Sequence, residues 1–109
     1  MAVTLPKPIE LYFAAENSGD QSGLDACLAL GVTVRDEGRT HTGLAEIKRW
    51  KAETRKKYDH TIEPLSATER DGKIVVSGRV TGNFPGSPVV LEFSFALANG
   101  KVASLEIHG

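Results

Sequence analysis

Three helices followed by a run of antiparallel strands, an α+β domain with one curved sheet laid over the helices, is the fold class this sequence predicts. Three observations predict it. Apolar residues recur at helical spacing up to about residue 57, and the period changes to two from Tyr58 onward. Two dipeptides, Asp71-Gly72 and Asn99-Gly100, then punctuate the alternating part as hairpin turns, because these residue types tolerate positive φ.

The first helix is predicted over residues 4–17. Pro6 and Pro8 suit its opening, where a missing N–H has no intrahelical partner to lose. Ile9, Tyr12, Phe13 and Glu16 fall at helical spacing, so Tyr12 lies on or beside the apolar stripe. Gly19 suits a left-handed C-terminal cap, and Asp20 an N-cap for a second helix over residues 21–30. That helix offers Leu24, Cys27 and Leu28 to the core, and Gly23 weakens it by about 1 kcal/mol relative to alanine. Gly31 ends it.

A strand then runs from Val32, breaks at Gly38, and gives way to a third helix over residues 43–57. Leu44, Ile47, Trp50 and Thr54 fall along one face of this helix. Lys48, Lys51, Arg55 and Lys56 occupy others, as a solvated basic face. Glu46 in the first turn and Lys56 and Lys57 in the last suit the helix dipole. Strands are predicted over residues 58–68, 73–81, 89–98 and 101–107, with 83–88 as a looser connection. A single curled sheet over the helices leaves an open mouth, and such mouths hold small ligands.

A chain of 109 residues is predicted to form one domain, 1–109, with a single core. Its apolar fraction of 40% and charged fraction of 25% are those of a globular protein. A net charge of −1 supplies no field for gathering nucleic acid or anionic membrane. Cys27 is the single cysteine, so no internal disulfide forms. Residues 1–8 lack the charged start and apolar run of a signal peptide, and no stretch approaches membrane-spanning length. A cytoplasmic protein is the expectation. His41, His60 and His108 share no metal-binding spacing, so neither metal nor cofactor is expected.

The stretch 32–50 carries the residue that most needs explaining. Alternation sends Val32, Val34 and Asp36 to one face and Thr33, Arg35 and Glu37 to the other. Two valines make the first face the core side, so Asp36 is a carboxylate heading inward. Burying an unpaired charge is costly, and such a group shifts its pKa or finds a partner. The alternative is a turn-side aspartate that pairs with Arg39 or caps nearby N–H groups.

The order helix, helix, strand, helix, meander resembles the cone-shaped, cystatin-like α+β barrel of the nuclear transport factor 2 superfamily. Residues 12–20, the strand 32–36 and the segment Gly43-Leu-Ala-Glu-Ile-Lys-Arg-Trp50 are similar to landmarks of its SnoaL-like branch. Within that superfamily the chain shows local similarity to ketosteroid isomerase. By that resemblance Tyr12 falls at an oxyanion-stabilising tyrosine and Asp36 at the base aspartate. The resemblance implies that Asp36 removes a proton next to a carbonyl while Tyr12 donates a hydrogen bond to the enolate oxygen. The bland reading of Tyr12 is a core tyrosine whose hydroxyl finds a backbone carbonyl or solvent.

The same resemblance implies a third acid on the penultimate strand, where Glu92 arrives. The strand's own pattern objects. Leu91, Phe93, Phe95 and Leu97 are its large apolar set, so Glu92, Ser94 and Ala96 face outward unless the register slips by one. Burial of the apolar set, at about 1.5–3 kcal/mol per side chain, outweighs placing one glutamate inside.

Trp50, Phe93, Phe95 and Val34 complete a candidate ligand pocket, aromatic residues being core by default but also common in cavity walls. Two function classes follow. One is an isomerase or polyketide-cyclase-like enzyme acting on a small hydrophobic carbonyl compound through Asp36 and Tyr12. The other is a non-catalytic ligand-binding or dimerisation module of the same fold. An epoxide hydrolase is a third, for which Asp36 and Arg79 stand in place but no second aspartate does. Val75, Ser77, Thr81, Val90, Ser94 and Ala96 give the outer sheet face a small, weakly polar character, and the superfamily commonly dimerises through its sheet. A homodimer through that face is expected.

Overall fold

The first helix, α1 (Lys7–Ser18), opens after Pro6 and places Ile9, Tyr12, Phe13, Ala15 and Glu16 on its buried face. It closes at Gly19, whose φ of 77° is the left-handed cap conformation and whose N–H reaches Ala15 O at 2.9 Å. The coordinates are a computed structural model and describe residues 3–19, 21–36 and 38–109. The N-cap predicted at Asp20 and the outward face predicted for Glu37 fall outside the described residues, as do Met1 and Ala2.

The second helix is shorter than the sequence predicts. It is α2 (Ser22–Cys27), and the chain is already extended at Leu28, the start of β1 (Leu28–Asp36). Extended, Leu28 sits beside Val102 and is buried. A further helical turn on a segment weakened by Gly23 offers less than that burial. Gly31 is therefore a strand residue, within a register shift between Leu28 and Thr33 that leaves Leu30 84% exposed.

After β1 the sequence predicts only a break. The chain instead turns at Gly38 into a short strand, β2 (Arg39–Thr42), which pairs back on β1 and sets Arg39 opposite Asp36. Gly43, at φ 93°, then admits α3 (Leu44–Lys57). Glu46 in its first turn accepts the Thr42 N–H at 2.8 Å, which fixes the entry of the helix.

The remaining strands are β3 (His60–Arg70), β4 (Lys73–Gly82), β5 (Val89–Ala98) and β6 (Lys101–His108). Asp71-Gly72 and Asn99-Gly100 form the two tight turns, all four residues at positive φ. Among the described residues the sheet has six strands in the order β2-β1-β6-β5-β4-β3. The pairing β3-β4-β5-β6 is antiparallel, and β1 joins β6 in parallel. The sheet is curved and unclosed, and the helices fill its concave side.

Strand parity divides the two faces as the alternation requires, except at the end of β5, where a register shift between Ala96 and Leu97 leaves Leu97, expected in the core, 37% exposed. Ile62, Val76, Val80, Phe93, Phe95, Val102, Leu105 and Ile107 are buried with the helices, together with Val32 and Val34. Tyr12, Phe13, Phe93 and Phe95 meet edge to face, with ring centroids 5.4–5.7 Å apart. Gly78 lies under the Phe93 ring, where a Cβ would come within 2.9 Å of the ring carbon Cε1. Cys27 packs in this core, and burial pushes its thiol up to about 11. Among the described residues no helix is long and apolar enough to cross a membrane.

Candidate functional site

The ends of β1, β4 and β6 and the starts of β3 and β5, together with α1, α2 and α3, enclose a cavity of about 570 Å³. Much of its lining is apolar, from Leu24, Ile62, Val80, Leu91, Phe93 and Ile107. The same lining carries polar groups: Tyr12 and Glu16 from α1, Lys51 and Arg55 from α3, His60 from β3, and Asp36 from the end of β1. A concave, mostly apolar space with a few converging polar groups is what binds small organic molecules.

Asp36 lines this cavity and is half-buried, two steps along β1 from the fully buried Val34. Tyr12 also lines it and has no exposed surface. Trp50 and Phe93 belong to the wall. Val34 and Phe95 share the inner face but sit deeper, in the packed core rather than at the cavity. Parity fixes which face a side chain takes, and not how far it lies from the mouth.

Glu92 takes the outer face, in register with Ser77 and His108, its carboxylate 3.8 Å from the His108 ring. The apolar pattern of β5 decided this, with Phe93 and Phe95 buried on the other side. Arg79 is also outward and pairs with Glu63 at 3.0 Å, so it does not supply the inward arginine expected of an epoxide hydrolase site.

Lys51 corrects the expectation of a uniformly solvated basic face on α3. Its ammonium turns into the cavity wall, donating to the Tyr12 hydroxyl at 2.7 Å and meeting Glu16 Oε1 at 2.6 Å. The long aliphatic stem and the attraction of a buried carboxylate allow this where a helix wheel alone suggests solvent. The same ammonium lies 4.6 Å from the centre of the Trp50 ring and 5.0 Å from that of Tyr12. Trp50 is in turn stacked on His41, with centroids 4.2 Å apart and planes 12° from parallel.

Glu16 joins the second half of the cluster. Its Oε2 lies 2.9 Å from Nε2 of His60. Asn17, the next residue on α1, holds this arrangement in place. Its amide accepts the Ile62 N–H at 2.6 Å and donates to the Ile62 carbonyl at 2.9 Å, so the start of β3 is clamped to the end of α1. Arg55 closes the same helix end by donating to the Glu16 and Asn17 carbonyls.

The electrostatics follow from this geometry. Burial alone pushes the Glu16 carboxyl up, but the Lys51 ammonium and the hydrogen bonds from His60 and Lys51 outweigh it and hold the group at about 2. Burial also disfavours charge on Lys51, and the Glu16 carboxylate reverses that and keeps the ammonium protonated well above its usual range. Burial, and then the Glu16 charge, push the Tyr12 phenol up. Tyr12 is therefore neutral, with its oxygen accepting from Lys51 and its own proton left to donate. Lys51 is a fixed cation and not an amine nucleophile.

Glu16, Lys51 and His60 are not among the site residues that the sequence predicts, although each carries a signal. Glu16 stands four residues after Tyr12, Lys51 four after Ile47, and His60 two before Ile62, so each shares a neighbour's inward face. Among the described residues no group of three or more His, Cys, Asp or Glu side chains is placed to hold a metal ion.

Comparison with known proteins agrees with the fold. The SnoaL-like domain family matches residues 9–105. A candidate polyketide cyclase of Sinorhizobium meliloti is 38% identical, with a TM-score of 0.90 over 95% of each chain. A Catenulispora acidiphila protein of ketosteroid isomerase-like fold, solved with trimethylamine, is 19% identical, with a TM-score of 0.83 over 97% of this chain and 87% of that one. A candidate polyketide cyclase of Xanthomonas campestris is 20% identical, with a TM-score of 0.76 over 94% and 87%. Among curated proteins no sequence matches. The family match over residues 9–105, together with the Sinorhizobium relative, makes this chain a member of the SnoaL-like domain family, within the fold of the nuclear transport factor 2 superfamily.

Proposed function

We propose that the cavity binds a small hydrophobic carbonyl compound and shifts a proton next to its carbonyl group. Asp36 is the base, and Tyr12, polarised by Lys51, donates to the oxygen that becomes an enolate. The observation that carries this reading is that Asp36, Tyr12 and Lys51 line one mostly apolar cavity, with Lys51 bonded to the Tyr12 hydroxyl. For a β,γ-unsaturated ketone, Asp36 takes the proton between carbonyl and alkene, negative charge moves onto the oxygen, and the proton returns at the γ carbon. The candidate polyketide cyclases among the relatives fit the same substrate class.

Isomerisation of cyclohex-3-enone to its conjugated isomer, followed by absorbance, tests the reading. Asp36→Asn is expected to lose about 10²–10⁴-fold in rate with an unchanged melting temperature. A second reading, a non-catalytic binding module, draws on the full enclosure of Tyr12 and the closed pairing of Lys51 with Glu16. An unmutated protein inert toward a panel of β,γ-enones supports that second reading.

In either case the protein pairs with a second copy through the outer sheet face, where Ser77, Ser94, Ala96 and Ser104 leave a small-residue surface and Val90 is 51% exposed. Light scattering at micromolar concentration gives a dimer mass for the unmutated chain and a monomer mass for Val90→Lys. A monomer mass for both contradicts the pairing.

A further inference from the structure

The proposed function uses Asp36, Tyr12 and Lys51 and leaves His60 without a task. A carboxylate only accepts hydrogen bonds, so the 2.9 Å contact to Glu16 requires the proton of the His60 ring to sit on Nε2. Among the described residues Nδ1 has no hydrogen-bond partner, and it is not a buried orphan, a condition met instead by Nε2 of His41. It therefore keeps solvent access, and His60 is one of the residues that line the cavity. A carboxylate that fixes the tautomer and orientation of an imidazole, leaving the far nitrogen bare, is the arrangement that makes histidine an acid–base group.

We infer that His60 is a second proton-transfer site of the cavity, with Glu16 as its positioning residue, serving an oxygen of the ligand distinct from the one held by Tyr12 and Lys51. The inference rests on the cavity taking an oxygenated carbonyl compound, as the proposed function requires. In the step itself, Nδ1 forms a bond to the hydrogen of a ligand hydroxyl. The O–H bond breaks, its electron pair stays on oxygen, and the proton returns by the reverse path or to water. The ligand is therefore a carbonyl compound that also bears a hydroxyl group.

The placement separates the two bases. Asp36 ends β1 and His60 begins β3, with β6, β5 and β4 between them, so they stand toward opposite edges of the curved sheet. The charged groups nearest His60 are Glu16 on α1, Lys51 and Arg55 on α3, and Asp59 beside it in the chain. Glu16 and Lys51 neutralise one another.

Kemp elimination of 5-nitrobenzisoxazole reports any accessible base in such a cavity. The base takes the ring C–H proton, the N–O bond breaks, and 2-cyano-4-nitrophenolate appears. Asp36 and His60 are expected to contribute separately to the rate. In the Asp36→Asn background, which leaves His60 as the base, His60→Gln lowers the remaining rate tenfold or more and Glu16→Gln lowers it several-fold. In the His60→Gln background, Asp36→Asn removes what is left. A rate in Asp36→Asn that His60→Gln leaves unchanged overturns the inference, and a rate in His60→Gln that Asp36→Asn leaves unchanged contradicts the Asp36 reading alone. Long-range ¹H–¹⁵N spectra of the unmutated protein at pH 8 provide a check that needs no variant: Nε2 protonated and Nδ1 bare supports the assignment, and the opposite tautomer overturns it.

Discussion

The Lys51 ammonium lies 2.6 Å from Glu16 Oε1, so α3 and α1 are joined by an ion pair in the wall of the cavity rather than at the surface. Both side chains are largely shielded, with 14% and 5% of their surfaces exposed. Removing one partner leaves the other as an uncompensated charge. Lys51→Met is expected to cost about 3–5 kcal/mol. The double variant Lys51→Met with Glu16→Leu should recover much of that, because a well-packed apolar pair often replaces a buried ion pair without loss. Thermal unfolding of the four proteins in the cycle measures the coupling, and additive losses contradict it.

Acid should act through the same carboxylate. Glu16 is held at about 2 in the folded chain against an ordinary 4.5. A depressed folded value means that its stabilisation is fully present above pH 4.5 and drains away as pH falls toward 2. The loss is on the order of 3 kcal/mol. Urea unfolding from pH 6 to pH 2 should show this acid limb, and Glu16→Gln should flatten it while lowering stability at neutral pH. An acid limb of equal depth in the variant assigns the effect to other carboxylates.

Close packing under the cavity floor gives a further expectation. A methyl group at Gly78 meets Phe93 at 2.9 Å and Ile62 at 3.0 Å, and neither neighbour is a flexible chain end in free space. Gly78→Ala should cost about 1–3 kcal/mol and displace the Phe93 ring toward the cavity. A melting temperature unchanged from that of the parent contradicts this packing account.

Much of this architecture was legible in the residues. The hairpins at Asp71-Gly72 and Asn99-Gly100 declared themselves because positive φ restricts residue choice, and both turns form as read. The inward face of β1 and the outward Glu92 followed from strand parity, which depends on the local pattern alone. The start of β1 was missed because the pairing of Leu28 with Val102 is a contact across most of the chain. Short β2 was missed because its support is register with Val34 and Asp36, not any period of its own.

The candidate site was legible in its apolar and singly charged members and hidden in its paired ones. Asp36 stood out as a carboxylate after two valines. Lys51 and Glu16 each look like surface residues when taken alone, and become cavity residues only as a pair drawn from two helices. His60 offers no metal-binding spacing, while its parity with Ile62 aims it inward.

The proposed chemistry requires that an anionic oxygen be held by Tyr12 and Lys51 with the rest of the ligand turned toward Asp36. A crystal structure with 4-nitrophenol, whose phenolate mimics an enolate, tests this most directly. The account predicts the phenolate oxygen within hydrogen-bond distance of the Tyr12 hydroxyl or Lys51 Nζ, and the ring among the apolar lining residues within reach of Asp36. A phenolate oxygen turned to the mouth, with Tyr12 still enclosed behind an undisturbed Lys51, would contradict it.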